Sequence, residues 1–275
     1  MSSLGARVLT AMVYGAVVLA AAFAPPPALA LLVGLLALVA YAELARLFAA
    51  HPARPLYWGL LLVAALQVPR FFTGRDGWVD AGIWSLGLLA AAAAWRMRHR
   101  GGVGPRIAFS VAAAVYLGWL LGYLTDLGVA GSSHTARAGS AVPVWLFLAL
   151  LPTWAGDVTA YAVGRAVGRR RLAPRISPGK TWEGTIAGFV AAAAAALGLA
   201  AYGAIPPVSA AIAVAALGPA ALGGDLLESY LKRRAGAKDS GGLLPGHGGV
   251  LDRIDSLIAV APLVAVALAA AGTVG

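Results

Sequence analysis

Acidic residues recur at helical spacing inside or beside long apolar runs of this chain. Asp157 lies deep in one run, with Tyr161 four positions on and so on the same helical face. Asp225 stands near the end of a second run with Glu228 one turn later, while Asp252 and Asp255 open a third. A carboxylate at the centre of a membrane helix costs about 2.5–3.5 kcal/mol on insertion scales, which makes it a functional candidate by default. If the segments bearing Asp225 and Asp252 run antiparallel, these two acids can lie side by side. Two facing carboxylates repel unless a proton or a cation stands between them. Hard oxygen ligands beside Lys232, Arg233 and Lys238 point to Mg²⁺ and not to zinc. The ordinary alternative is local pairing, Asp252 with Arg253 or Lys238 and Glu228 with Lys232.

These acids border two polar loops, "GDVTAYAVGRAVGRRRLAPRISPGKTWEG" (156–184) and "GDLLESYLKRRAGAKDSGGLLPGHGGVLDRIDS" (224–256). Lysine and arginine neutralise phosphate oxygens, and glycines let backbone N–H groups come close to them. The run "PGHGG", with Gly248 and Gly249, fits a sharp loop of that kind. "SPGKT" (177–181) resembles an anion-binding turn, with Ser177 and Lys180 as donors and Thr181 placed to cap the next helix. It is not a Walker A sequence. His247 could serve as a general acid or phosphate donor, or be a loop histidine held by a carbonyl. The basic run at 169–171 suits a juxtamembrane anchor or an anionic head group.

The elements that position these loops are membrane helices. Of 275 residues, 60% are hydrophobic and 12% charged, and the mean hydropathy is +0.82. A soluble domain carries about a quarter charged residues. The fold class expected is all-α, a polytopic integral membrane protein. Nine apolar segments stand out at 7–24, 28–49, 56–69, 79–95, 107–125, 142–164, 184–204, 208–227 and 256–273. With the N-terminus inside and the C-terminus outside, all 21 basic residues except Arg70, Arg75 and Arg137 fall on the cytoplasmic side, as the positive-inside rule requires. The N-terminal run also has the look of a secretory signal, but its removal would reverse that partition. "PPP" at 25–27 suits the turn between the first two helices. Loop charge of this kind explains the net +10 without a nucleic-acid partner. The chain reads as one membrane domain over 1–275, with a scaffold over 1–141 and a catalytic half over 142–275 whose cytoplasmic loops are 165–183 and 228–255. Small residues such as Gly188, Gly198 and the alanines at 191–196 would allow close contact with a second copy as a homodimer.

The stretch Ser229 to Asp255 resembles the signature of the phosphatidate cytidylyltransferase (CDP-diacylglycerol synthase) family. The matching positions are Ser229, Lys232, Arg233, Lys238, Asp239, Pro245, His247, Gly248, Gly249, Asp252, Arg253 and Asp255. The upstream loop is similar at Asp157, Tyr161, Gly164, Arg165, Leu172, Pro174, Ser177, Pro178, Lys180, Thr181, Glu183 and Gly184; Gly179 departs, where a second lysine is expected. The strong motifs cover roughly the last 120 residues. The resemblance implies a multi-pass enzyme of the inner (plasma) membrane, its site facing the cytoplasm, converting CTP and phosphatidic acid to CDP-diacylglycerol and pyrophosphate. It implies Mg²⁺, with a monovalent ion such as K⁺, held on Asp225 and Asp252. Lys232, Lys238, Asp239 and His247 join them as catalytic candidates. Asp157, Tyr161, Arg175, Ser177, Lys180, Thr181, Ser229, Arg233, Gly248, Gly249, Arg253 and Asp255 are the substrate-binding candidates. Two rival readings are a cation-coupled transporter using Asp157, Asp225 and Asp252, and a cytidylyltransferase acting on another lipid phosphate.

Overall fold

The computed structural model describes residues 3–68, 77–100, 102–137, 143–201, 207–244 and 248–270. Helices dominate: α1 (Ser3–Phe23), α2 (Pro26–Leu47), α3 (Gly59–Gln67), α4 (Gly77–Arg96), α5 (Val103–Ala114), α6 (Leu121–Arg137), α7 (Val144–Val167), α8 (Trp182–Ala201), α9 (Pro207–Arg234) and α10 (Leu251–Ala270). A π-helical segment, Val115–Leu120, joins α5 to α6. Among the described residues six stretches are long and apolar enough to cross a membrane: Pro26–Leu47, Val103–Ala130, Val144–Val167, Trp182–Ala201, Ser209–Arg234 and Leu251–Ala270. A helix occupies each of the nine expected positions. Over its described length α3 spans only about 13 Å, short of the roughly 30 Å hydrocarbon layer. Proline residues lie at the start of α2, as the turn at 25–27 requires.

The all-α expectation needs one correction. Residues 171–181 form an antiparallel β-hairpin, β1 (Arg171–Ala173) with β2 (Ser177–Thr181), in register Arg171 to Thr181 and Ala173 to Ser177. Ser177 and Lys180 therefore sit on a strand, not in an anion-binding turn. Pro174, Pro178 and Gly179 disfavour helix here, and the neighbouring helix pins the hairpin ends. Glu183 in the first turn of α8 accepts the Arg169 N–H (3.1 Å) and Arg170 N–H (3.3 Å), and the Trp182 N–H reaches the Arg170 carbonyl.

A second correction concerns loop length. The loop expected at 228–255 is helical at both ends, because α9 continues to Arg234 and α10 begins at Leu251. The Glu228–Lys232 pair at i,i+4 supports the added turn of α9. Gly236, with φ of +73°, adopts the left-handed conformation that stops the helix.

The chain divides into two compact units. The first comprises Met1–Thr125 with Arg234–Ile254. Here the buried Gln67 amide donates to the carbonyl of Gly118 in the π segment (2.9 Å), which ties α3 to that segment. The Tyr41 hydroxyl donates to the Leu56 carbonyl (2.8 Å), and the Leu56 N–H to Ser110 Oγ (2.7 Å), so α2 and α5 both hold the entry to α3.

The second unit comprises Asp126–Arg233 with Asp255–Gly275. Its centre is a seam of small residues between α7 and α8. A Cβ on Gly188 would lie 2.9 Å from the Gly156 carbonyl and from Ala160 Cβ, and one on Gly184 would lie 2.5 Å from the Ala160 carbonyl. Contact this close lets two membrane helices gain dispersion energy where hydrophobic burial gives none. Gly188 is thus occupied within the chain and is not open to a second copy, whereas Gly198 has nothing within 4 Å of a built Cβ. Gly188→Val is expected to destabilise the protein by about 1–3 kcal/mol through overpacking, and Gly198→Val to have little effect on stability. Thermal unfolding in detergent checks the contrast.

Candidate functional site

In the second unit, the expected site residues gather where α7, the hairpin and α9 meet. Lys180 on β2 reaches Asp225 on α9 with Nζ 2.6 Å from Oδ2, and both side chains are about a quarter exposed. Ser229, one turn along α9, donates to Asp225 Oδ1 (3.3 Å). One residue before Asp225, Gly224 packs on the Asp255 carbonyl and lies close to Ser256 Cα, an approach only glycine permits. It brings α9 against α10, as the antiparallel reading requires. Asp157 and Asp225 are near enough to Asp255 for their charges to act on it, with Lys232 opposing them.

Further along α9, Lys232 pairs with the buried Glu228 at 2.5 Å, so the local pairing considered for these two residues is present. Arg233 is exposed and donates from Nε to the Ile176 carbonyl (3.2 Å), a second tether between α9 and the hairpin. Arg175 is exposed in the hairpin turn. Thr181 caps α8 as expected, its Oγ1 accepting the Gly184 N–H at 3.2 Å. Tyr161 is exposed and accepts from Arg165 (3.1 Å). Asp157 and Lys180 line a small cleft of about 40 Å³, with Thr153, Gly156, Thr185 and Phe189 among its walls.

The first unit holds the other half of the expected residues. Asp252, in the first turn of α10, accepts the Gly249 N–H (2.7 Å), the Ser240 N–H (3.0 Å) and the Ser240 hydroxyl (3.0 Å). Gly248 has a φ of +82°, and a Cβ there would lie 2.5 Å from Asp252 Oδ2. These glycines give the loop room to fold around a carboxylate. Lys238, Asp239 and Arg253 are exposed. The Leu244 N–H donates to the Gly248 carbonyl (2.9 Å) and closes the loop. Pro245, Gly246 and His247 lie outside the described residues.

Sequence reasoning missed Glu43 of α2. It is buried and accepts the Val250 N–H (3.0 Å) and the Leu251 N–H (2.9 Å), and its Oε2 lies 3.3 Å from Ser240 Oγ. The available signal was a lone acid inside an apolar span, the criterion that had singled out Asp157.

Among the described residues no three His, Cys, Asp or Glu side chains form a ready-made metal cage. Mg²⁺ does not need one, since it binds one or two carboxylates and keeps water or substrate phosphate oxygens in its shell. Asp225 fits that demand: it is partly exposed, with the acids Asp157 and Asp255 in electrostatic reach of one another.

The Lys180–Asp225 pair is the most testable contact in this arrangement. A double-mutant cycle with Lys180→Met and Asp225→Asn should return a coupling of about 1 kcal/mol in thermal unfolding. Additive effects would mean that the pair contributes nothing to the folded state.

The cytidylyltransferase family matches residues 5–271. A phosphatidate cytidylyltransferase of Brucella abortus biovar 1 (strain 9-941) is 50% identical over 130 residues, covering 46% of each chain. One from Pseudomonas aeruginosa is 48% identical over 124 residues, covering 43% of this chain and 45% of that one. One from Bacillus subtilis is 38% identical over 158 residues, covering 57% and 56%. The match thus spans about half the length of these curated relatives. Because the family match runs through nearly every helix described above, this chain belongs to the cytidylyltransferase family.

Proposed function

We propose that this chain transfers CMP from CTP to phosphatidic acid, giving CDP-diacylglycerol and pyrophosphate, at the cytoplasmic face of the inner membrane. The observation that carries the reading is the Lys180–Asp225 ion pair at the apolar cleft beside Asp157, a cation held by a carboxylate until an anionic group takes its place. The activity named for the relatives supports the choice of nucleotide and lipid.

In this reaction an oxygen of the phosphatidate phosphate attacks the α-phosphorus of CTP in line. The bond from that phosphorus to the oxygen bridging to the β-phosphate breaks, and pyrophosphate leaves with the electron pair. A phosphate monoester has a second pKa near 6, so the attacking group is already a dianion at neutral pH. His247 is then not required as a base. The protein's work is positioning and neutralisation of charge. Arg175, Ser177 and Lys180 hold the lipid phosphate, and Lys232, Arg233 and Lys238 hold the triphosphate. Asp225 and Asp252 are the residues that would hold Mg²⁺, accompanied by K⁺, and the ions would supply positive charge against the phosphate oxygens. The same reading takes residues 1–275 as one membrane domain with nine spans, N-terminus inside and C-terminus outside. It also allows a homodimer through the faces that carry Gly198.

The test is purified protein in lipid vesicles with CTP, phosphatidic acid and Mg²⁺, followed for pyrophosphate and CDP-diacylglycerol. Turnover is expected with CTP and not with ATP or GTP. Asp225→Asn and Asp252→Asn should each lower kcat on the order of 100-fold, the scale seen when a group that stabilises transition-state charge is removed. No product from phosphatidic acid, or full turnover in both variants, contradicts the reading.

A further inference from the structure

We propose that Glu43 is a positioning residue for Asp252, setting the carboxylate of the catalytic loop from a helix some two hundred residues away. This inference rests on the proposed role of Asp252 as a cation ligand, and adds a residue outside the signature to it.

The argument begins with the N-terminus of α10. The first N–H groups of a helix have no partner inside the helix, and the helix dipole makes that end positive. Here three successive donors are taken by two side chains. The Gly249 N–H goes to Asp252 Oδ2 at 2.7 Å. The Val250 and Leu251 N–H groups go to Glu43 Oε1 and Oε2, at 3.0 and 2.9 Å. Each oxygen of Glu43 therefore holds one backbone donor, a bidentate grip that fixes both the place and the rotation of the helix start.

Ser240 joins the two acids. Its Oγ lies 3.3 Å from Glu43 Oε2 and 3.0 Å from Asp252 Oδ2, while its N–H donates to Asp252. The hydroxyl carries one proton, so it can serve only one carboxylate at a time. Glu43 thus sets the position of the group that orients Asp252. The fit leaves no spare room: a Cβ on Gly249 would lie 2.5 Å from Glu43 Oε2, and one on Gly241 would lie 2.8 Å from Oε1. Groups that orient a ligand typically govern metal affinity by 10–100-fold, although they never touch the metal.

Glu43→Gln tests this directly. Its amide nitrogen would face a backbone N–H, donor against donor, so one of the two grips is lost at nearly constant volume. Glu43→Asp keeps two acceptors and the charge but shortens the reach. The probe is Mn²⁺ alone, its binding to purified protein followed by electron paramagnetic resonance, beside CTP turnover in the same preparation. The expected result is Mn²⁺ affinity lowered about tenfold in Glu43→Gln and by less in Glu43→Asp, with the Mg²⁺ needed for half-maximal turnover rising in parallel. Wild-type Mn²⁺ affinity in Glu43→Gln, even with a lower unfolding temperature, makes Glu43 a purely structural residue and overturns the proposal. Should Glu43→Gln not accumulate in membranes, Ser240→Ala decides: weakened Mn²⁺ binding supports the proposal and unchanged binding overturns it. Wild-type protein that neither binds Mn²⁺ nor turns over CTP is a separate failure, that of the proposed function, and removes this inference with it.

Discussion

A carboxylate surrounded by hydrocarbon survives as a charge only if donors or cations surround it. That requirement organises both units of this protein. Glu228 meets Lys232, Asp225 meets Lys180, and Glu43 meets the N-terminus of α10. Each pairing joins a loop to a helix or stiffens a helix end, so the groups suited to phosphate chemistry are also those that fix the polar segments. The hairpin follows the same rule, tied by Glu183 at one end and by Arg233 at its turn.

Glycine supplies the complementary constraint. In the α7–α8 seam and at Gly224 it lets backbones touch, and at Gly248 and Gly249 it lets a loop close around carboxylates. The same residue type thus serves two ends, helix contact in the apolar part and tight anion wrapping at the polar end. A larger side chain at either place would push apart groups whose interaction falls steeply with distance.

Much of this was legible beforehand. The apolar runs marked a helix at all nine expected positions, and six of these, among the described residues, have the unbroken hydrophobic length that lipid imposes. Thr181 was readable as a cap, since a hydroxyl three residues before a free helical N–H has one obvious use. The hairpin was not, because eleven residues with two prolines and a glycine permit several turns, and only Glu183 and Arg233 select one. The extra turn of α9 was hidden by its charges, which look like loop until Lys232 folds back on Glu228. Glu43 was hidden by distance: its partners lie 197 to 208 positions downstream, and no local pattern in α2 announces them.

The proposed transfer of a nucleotidyl group to a lipid phosphate draws on membership of the cytidylyltransferase family and on the chemistry of these polar ends. Which phosphorus of the nucleotide is attacked separates this chemistry from phosphoryl transfer. The decisive measurement supplies purified protein, phosphatidic acid and Mg²⁺ with CTP labelled at either the α- or the γ-phosphate, and counts the label in the organic phase. Label from the α position in lipid, with γ label remaining in water, is the predicted result. Label entering lipid from the γ position, or from neither, would contradict it.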